Sequence, residues 1–191
     1  MMWHKKNPNV KTIIVRPAVV FGEYNFGNVY NLINQINSGF FAVIGKGQNI
    51  KSVAYAGNLV ESVIFALKKL DKGILIYNYS DYPQMNITDQ AHFIGAILKK
   101  RVRLKVPLWA TKVITVPVDI IEKTFKVQLK LNSMRVKKFT SQTYFKSDLI
   151  REMGFSPPTK TEDAFGITID WIKSNDTKTL RAKWLKTASD L

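Results

Sequence analysis

Residues 58–79, NLVESVIFALKKLDKGILIYNY, join two different periodicities in one short stretch. Leu59, Val60, Val63, Ile64, Leu67 and Leu70 recur at three- and four-residue intervals, which predicts a helix with one apolar face. Asn58 with Glu61 reads as a capping pair at its start. After Asp71 and Lys72, GILIYNY is a continuous apolar and aromatic run, too short for a helix and suited to a buried strand. A helix feeding a buried strand is the repeating half of an α/β architecture.

The flanking sequence continues the alternation. Upstream, KTIIVRP is a β-branched run stopped by Pro17, which predicts a second buried strand. VVFGEYNFGN reads as a loop, and VYNLINQIN, with Val29, Leu32, Ile33 and Ile36 at helical spacing, reads as a helix closed by Gly39. FFAVIGKGQNIKSVAY predicts two short extended runs around a glycine turn, a small hairpin or strand pair. Downstream, Thr88 opens a helix through Ala91, Ile94, Ile97 and Leu98. Pro107 and Pro117 bracket the next helix, and a separate one is expected from Val118 to Phe125, because proline removes a donor inside a helix. NSMRVKKFT precedes a short helix ending at Gly154, a FSPP turn and a last helix from Thr161 to about Lys173. The remainder, carrying Lys178, Arg181, Lys183 and Lys186, reads as a cationic tail or exposed helix. The fold class is therefore α/β, with an α/β region followed by a smaller α-rich lobe.

Composition narrows the function. The 191 residues are 46% hydrophobic, enough for a packed core. Zero cysteines exclude disulfide frameworks, thiolate zinc sites, iron–sulfur clusters and cysteine nucleophiles. Lys and Arg outnumber Asp and Glu by 29 to 14, a net charge of +15, so an anionic partner is expected: nucleic acid, an acidic membrane face or a phosphorylated small molecule. No apolar run reaches the length of a transmembrane span, and MMWHKKNPNVK lacks a signal-peptide core, so a cytoplasmic location is expected. His4 and His92 stand apart from any Asp and Glu cluster, and no metal-ligand spacing is present.

Four segments in order, IIVRPAVVFG, FGNVYNLINQINSGFFAVIGKGQNIKSVAYAGNLVESVIFAL, IYNYSD and FKSDLIREMGFSPPTKTEDAFGITIDWI, resemble the C-terminal half of extended short-chain dehydrogenases/reductases. Within that superfamily they look most like the NAD(P)-dependent nucleotide-sugar epimerases, dehydratases and 4-keto reductases. The resemblance implies the C-terminal part of a Rossmann-like doubly wound sheet plus a smaller α-rich substrate-binding lobe. On that basis residues 1–100 are expected to be a partial Rossmann-like region with interleaved substrate-binding segments, 101–174 mainly the lobe, and 175–191 a cationic tail.

The sequence departs from the family in two places. Family members open with a strand and a glycine-rich dinucleotide turn and later carry a Tyr-x-x-x-Lys proton-transfer pair. Here GKGQ at Gly45–Gly47 does not open a long helix, and Tyr24 and Tyr55 lead to Asn28 and Leu59 rather than to lysine. The sequence thus reads as a C-terminal piece, with MMWHKKNPN as the end of the helix that would carry the pair, and with no catalytic residue of its own. Alone it is expected to be inactive, and an exposed sheet edge would favour self-association.

The resemblance carries specific expectations. Pro17, Ala18 and Val19 would line the nicotinamide end of NAD or NADP in the intact enzyme. Asn28 would contact the sugar-nucleotide diphosphate or adjoining sugar, or else cap its own helix. The backbone of Ala42, Val43 and Ile44 would hold a uracil edge, and Lys51 would pair with the diphosphate as a point charge where relatives often have arginine. Arg135 would close on the same diphosphate from the C-terminal lobe, with Lys137 or Lys138 as neighbours in register. The implied partners are a nucleotide-sugar, UDP-hexose first, the N-terminal Rossmann half and a second copy. The competing class is a cationic module for nucleic acid or an anionic membrane, or a noncatalytic relative. The cationic class is the weaker reading, since nucleic-acid binders gather charge on one face whereas these lysines are spread along the chain.

Overall fold

Ile13 faces Leu75 and Val15 faces Tyr77 across a parallel pair formed by β1 (Lys11–Pro17) and β5 (Gly73–Tyr79), in register over seven residues. The pairing is the one expected, but β1 is not the buried strand that its sequence suggested: its residues are half-buried or exposed, Ile14 at 37%. The structure is a computed structural model that describes residues 6–7, 9–125 and 132–189. Residues 1–5 and 8, most of the segment read as the end of an upstream helix, lie outside the described residues. In chain order the remaining elements are β2 (Val19–Phe21), α1 (Asn28–Asn37), β3 (Val43–Ile44), β4 (Val53–Tyr55), α2 (Ala56–Lys69), α3 (Ile87–Leu98), β6 (Lys105–Val106), α4 (Leu108–Phe125), α5 (Ser133–Thr140), α6 (Asp148–Glu152), α7 (Thr161–Ser174) and α8 (Thr177–Ser189). Three two-stranded parallel pairs, β1 with β5, β2 with β4 and β3 with β6, make a mixed α/β chain.

The chain divides into two compact units. The first comprises Met1–Ile33, Ser52–Gln84 and Tyr144–Leu191. Its core gathers Ile13, Val15, Leu75, Tyr77 and Tyr79 from the strands, Ala66, Leu59 and Phe65 from α2, and Ile150 and Phe155 from the α6 region. Phe21 of β2 stacks on Phe165 of α7 at 4.8 Å. The second comprises Asn34–Lys51 and Met85–Thr143, and holds α3, α4, α5 and the β3–β6 pair.

Four expectations are corrected. VVF, read as the start of a loop, is β2, parallel to β4. The runs around Gly45 are not a hairpin, because Val43–Ile44 pairs with β6 and Val53–Tyr55 with β2; strands this short take their partners from tertiary context. Pro117 does not divide α4, which runs from Leu108 to Phe125. The carbonyl that proline leaves without a donor is that of Val113, an exposed residue, where water can serve it.

The fourth correction concerns α2. It covers β1 as expected, but with the other face. Val60, Ile64 and Leu67 are exposed, whereas Asn58, Ser62 and Ala66 are buried. Small residues let the helix approach the sheet closely, and the Ser62 hydroxyl meets the Tyr77 hydroxyl at 3.0 Å. Nor is Asn58 a cap. The N-cap is Tyr55, and the Asn58 amide donates to Asp81 Oδ1 at 3.0 Å and to the Thr159 carbonyl at 2.8 Å, while its oxygen accepts the Thr159 N–H at 3.1 Å. The reciprocal cap occurs instead on α3, where Asn86 accepts from the Asp89 N–H and donates to the Asp89 carboxylate.

Candidate substrate site

The second unit holds a cleft of about 400 Å³ lined by Ile44, the turn Gly45–Asn49, Leu108, Thr140 and Gln142. Its floor follows from strand geometry. The Val43 and Gly45 amides donate to Leu104 and Val106 carbonyls at 2.9 and 2.8 Å. Alternation along β3 therefore turns the peptide groups of Ala42 and Ile44 to the opposite edge, which no strand occupies among the described residues. An unpaired strand edge presents a donor and an acceptor side by side, the complement of a heterocyclic base edge.

The turn is rigid because α3 holds it. Thr88 donates to the Gly47 carbonyl through its N–H at 3.3 Å and its hydroxyl at 2.9 Å, and the Ile87 N–H reaches the Asn49 carbonyl at 3.1 Å. The first donors of α3 are thereby spent on the loop. Gly47 sits at φ 65°, and a Cβ there would collide with the Thr88 hydroxyl and a Val43 methyl.

Lys51 is fixed at the carboxyl end of α5. Its ammonium donates to the carbonyls of Lys138 at 2.9 Å and Ser141 at 2.5 Å, where the helix dipole favours a cation. Asn49 donates to the Phe139 carbonyl at 3.0 Å beside it. Partial burial lowers the Lys51 pKa. Ser141 lies between Thr140 and Gln142 of the cleft wall, so the ammonium is held next to the cleft with one N–H to spare.

Arg135 lies in the first turn of α5, exposed, and its side chain makes no hydrogen bond or ion pair among the described residues. Three residues, about 4.5 Å of helix axis, separate it from Lys138 on the same side of α5. The second unit thus contains Ala42, Val43, Ile44, Lys51 and Arg135, whereas Pro17, Ala18, Val19 and Asn28 belong to the first. Asn28 is the first residue of α1 and is exposed, and it does not cap the helix. Asn25 accepts the Gly27 N–H at 2.9 Å and Asn31 donates to the Gly27 carbonyl at 3.1 Å, which closes that turn without it. Sequence reasoning missed Asn49, Thr140 and Gln142, isolated polar residues whose roles come from the end of α5 rather than from any motif.

Comparison with known proteins now places this geometry. The profile of the 3-beta hydroxysteroid dehydrogenase/isomerase family matches residues 2–101. The chain is also 37% identical, over 82% of its length, to an N-acetyl-alpha-D-glucosaminyl-diphospho-ditrans,octacis-undecaprenol 4-epimerase of Escherichia coli O157:H7. The chain belongs to this family. It is an epimerase/dehydratase-family protein, as the four sequence segments implied. It spans 48% of that relative's length. Among solved structures it resembles a UDP-N-acetylglucosamine 4-epimerase from Bacillus cereus, with 14% identity, a TM-score of 0.60, and coverage of 89% of this chain and 49% of that one. A UDP-glucuronic acid 4-epimerase from the same organism, in complex with UDP-glucuronic acid and NAD, gives 18% identity and a TM-score of 0.59, covering 91% and 48%. At such identities these two share the Rossmann-like epimerase fold with this chain.

The family implies NAD(P), and the residues present do not fit a dinucleotide by themselves. The Gly45–Gly47 turn is followed by no helix before β4, so it is not a glycine turn that opens a helix toward a pyrophosphate. The amides of Ala18 and Val19 are already given to the Tyr79 and Ser52 carbonyls at 2.8 and 3.4 Å.

Proposed function

We propose that this chain is the substrate-binding portion of an epimerase, dehydratase or 4-keto reductase that handles a sugar carried on a diphosphate, with UDP-hexose as the first candidate. The observation that carries the reading is the free edge of β3 at Ala42 and Ile44 beside a cleft that Ile44, Thr140 and Gln142 line, with Lys51 bound to the intervening Ser141 carbonyl. In this reading the strand edge receives the uracil, Lys51 gives its remaining N–H to the diphosphate, and Arg135 adds a planar fork from the same helix. Asn28, whose amide is free of capping duty, contacts the sugar or diphosphate in the complete protein. Pro17, Ala18 and Val19 form part of an apolar wall for the nicotinamide there, and the dinucleotide itself is held by residues this chain lacks.

A second reading of the carrier has its own support. The relative at 37% identity acts on a sugar linked through diphosphate to undecaprenol. Diphosphate recognition by Lys51 and Arg135 is common to both carriers, whereas the base-sized strand edge favours the nucleotide.

Calorimetric titration of UDP into the chain tests the assignment. Lys51→Ala is expected to weaken UDP by about 1–2 kcal/mol, roughly 5- to 30-fold, through loss of a charge-assisted hydrogen bond, and Lys51→Arg to restore most of it. Equal affinity for the wild type and Lys51→Ala would remove Lys51 from the site. Absence of any UDP or UDP-sugar binding would remove the nucleotide carrier and the base contact at β3.

Supplied with NAD or NADP and UDP-N-acetylglucosamine, the purified 191-residue chain should show no 4-epimer and no change in nicotinamide absorbance. Turnover would mean that its own residues supply proton transfer.

A further inference from the structure

Helix α4 is amphipathic in the wrong sense for water. Trp109, Val113, Val116 and Ile120, spaced four, three and four apart, form one stripe along it, and they are 70%, 68%, 50% and 61% exposed. Three of its polar residues, Thr115, Asp119 and Glu122, are instead held by α5 and the residue before it. Thr115 is 2% exposed and accepts from the Ser133 hydroxyl at 3.0 Å, Asp119 accepts the Ser133 N–H at 3.0 Å, and Glu122 accepts from the Asn132 amide at 2.9 Å. The helix cannot roll its apolar stripe inward without breaking these bonds.

Charge follows the same division. Both acidic residues of α4 are committed to the start of α5, whereas Arg101, Arg103, Lys105, Lys112 and Lys123 are exposed and form no ion pair among the described residues. An apolar stripe with a tryptophan near one end, and the uncompensated Lys112 and Lys123 three residues beyond Trp109 and Ile120 on the same helix, suits the interface of an anionic bilayer, apolar side chains among the acyl chains and cations at the headgroups. A second copy suits it less, because each chain brings a charge of +15 and the same unpaired cations to the contact.

We propose that α4 docks on an anionic membrane surface through Trp109, Val113, Val116 and Ile120, lying in the interface rather than crossing it. No described helix is long and apolar enough to span a bilayer. The inference deepens, and rests on, the second reading of the carrier: a sugar diphosphate on a polyprenol is reached at a membrane face.

Flotation of the full chain with vesicles of phosphatidylcholine containing about 30% phosphatidylglycerol tests this without any sugar ligand. The chain should float with these vesicles and much less with phosphatidylcholine alone, and Trp109 emission should shift to the blue, read by difference against Trp109→Phe. Val113→Ser with Val116→Ser, both at exposed positions, should reduce flotation about tenfold, and Lys112→Gln with Lys123→Gln should do so on anionic vesicles only. Unchanged flotation in the serine variant, no flotation of the wild type, or an unshifted Trp109 would overturn the proposal. So would sedimentation in which the serine variant turns a dimer into a monomer while vesicle binding stays the same, which assigns the stripe to a second copy. UDP titration of the same preparations separates the two readings. Lost flotation with intact UDP binding removes the docking surface alone, and lost UDP binding with intact flotation removes the nucleotide carrier alone.

Discussion

Alanine at Asp81 is expected to cost the fold about 3–5 kcal/mol, a large part of the stability of a chain this size. Asp81 is 2% exposed and its carboxylate is the meeting point of three donors: the Tyr55 N–H at 2.6 Å, the Asn58 amide at 3.0 Å and the Tyr79 hydroxyl at 2.9 Å. Removing it leaves the N–H of Tyr55, the N-cap residue of α2, and the buried Tyr79 phenol without acceptors, and each such orphan costs about 1–3 kcal/mol. Asn58→Ala should approach the same loss by another route, since it also frees the Thr159 N–H and carbonyl. Urea unfolding midpoints measure both. Burial raises the Asp81 pKa, and the three donors pull it back only in part. A carboxyl raised in the folded state contributes stability that is fully present below the ordinary carboxylate range and is lost as pH rises through the raised value. Asp81→Asn removes that titration, so its stability should lack the wild-type decline over this window, while sitting lower throughout because an amide cannot accept from all three donors. Parallel pH profiles for the two proteins would show that Asp81 does not titrate in the fold.

The parts legible in the sequence were those fixed by long local patterns. KTIIVRP and GILIYNY each carry enough consecutive β-branched or aromatic residues to be strands whatever surrounds them, and the parallel pairing is that of strands joined by a long crossover ending in α2. The face of α2 was not legible. The apolar spacing at Val60, Ile64 and Leu67 is genuine, but the side turned to the core carries Asn58, Ser62 and Ala66 with Leu59 and Phe65 beside them. For the same reason Asn58 resembled a cap: its contacts with Asp81 and Thr159 are 23 and 101 residues away in sequence, and nothing local announces them. At the candidate site, Lys51 and Ile44 stood out through family likeness alone. The carbonyls that hold Lys51 belong to a helix end, and backbone atoms leave no mark in the sequence.

Gly47→Ala is expected to destabilise the chain by about 3–5 kcal/mol, while Gly45→Ala, two residues away, costs about 1–2 kcal/mol. Both glycines have positive φ, 65° and 70°, so both substitutions carry the left-handed strain of an L-residue. They differ in what a Cβ meets. At Gly45 it would lie 3.2 Å from the Leu108 side chain, which can yield by a small rotation. At Gly47 it would overlap the Thr88 hydroxyl and a Val43 methyl. Thr88 can move only by giving up its bond to the Gly47 carbonyl, and Val43 is 1% exposed within the β3 pairing. The strain therefore passes from the turn into the first turn of α3 and into the strand whose free edge is proposed to hold the base. Urea midpoints, read on Trp109 emission in the same unit, should separate the two variants clearly. UDP affinity should fall for Gly47→Ala even where the protein remains folded, because the edge of β3 moves with Val43. Equal midpoints for the two alanine variants would show that the turn is not braced by Thr88, and would leave the cleft without the rigid wall that base recognition requires.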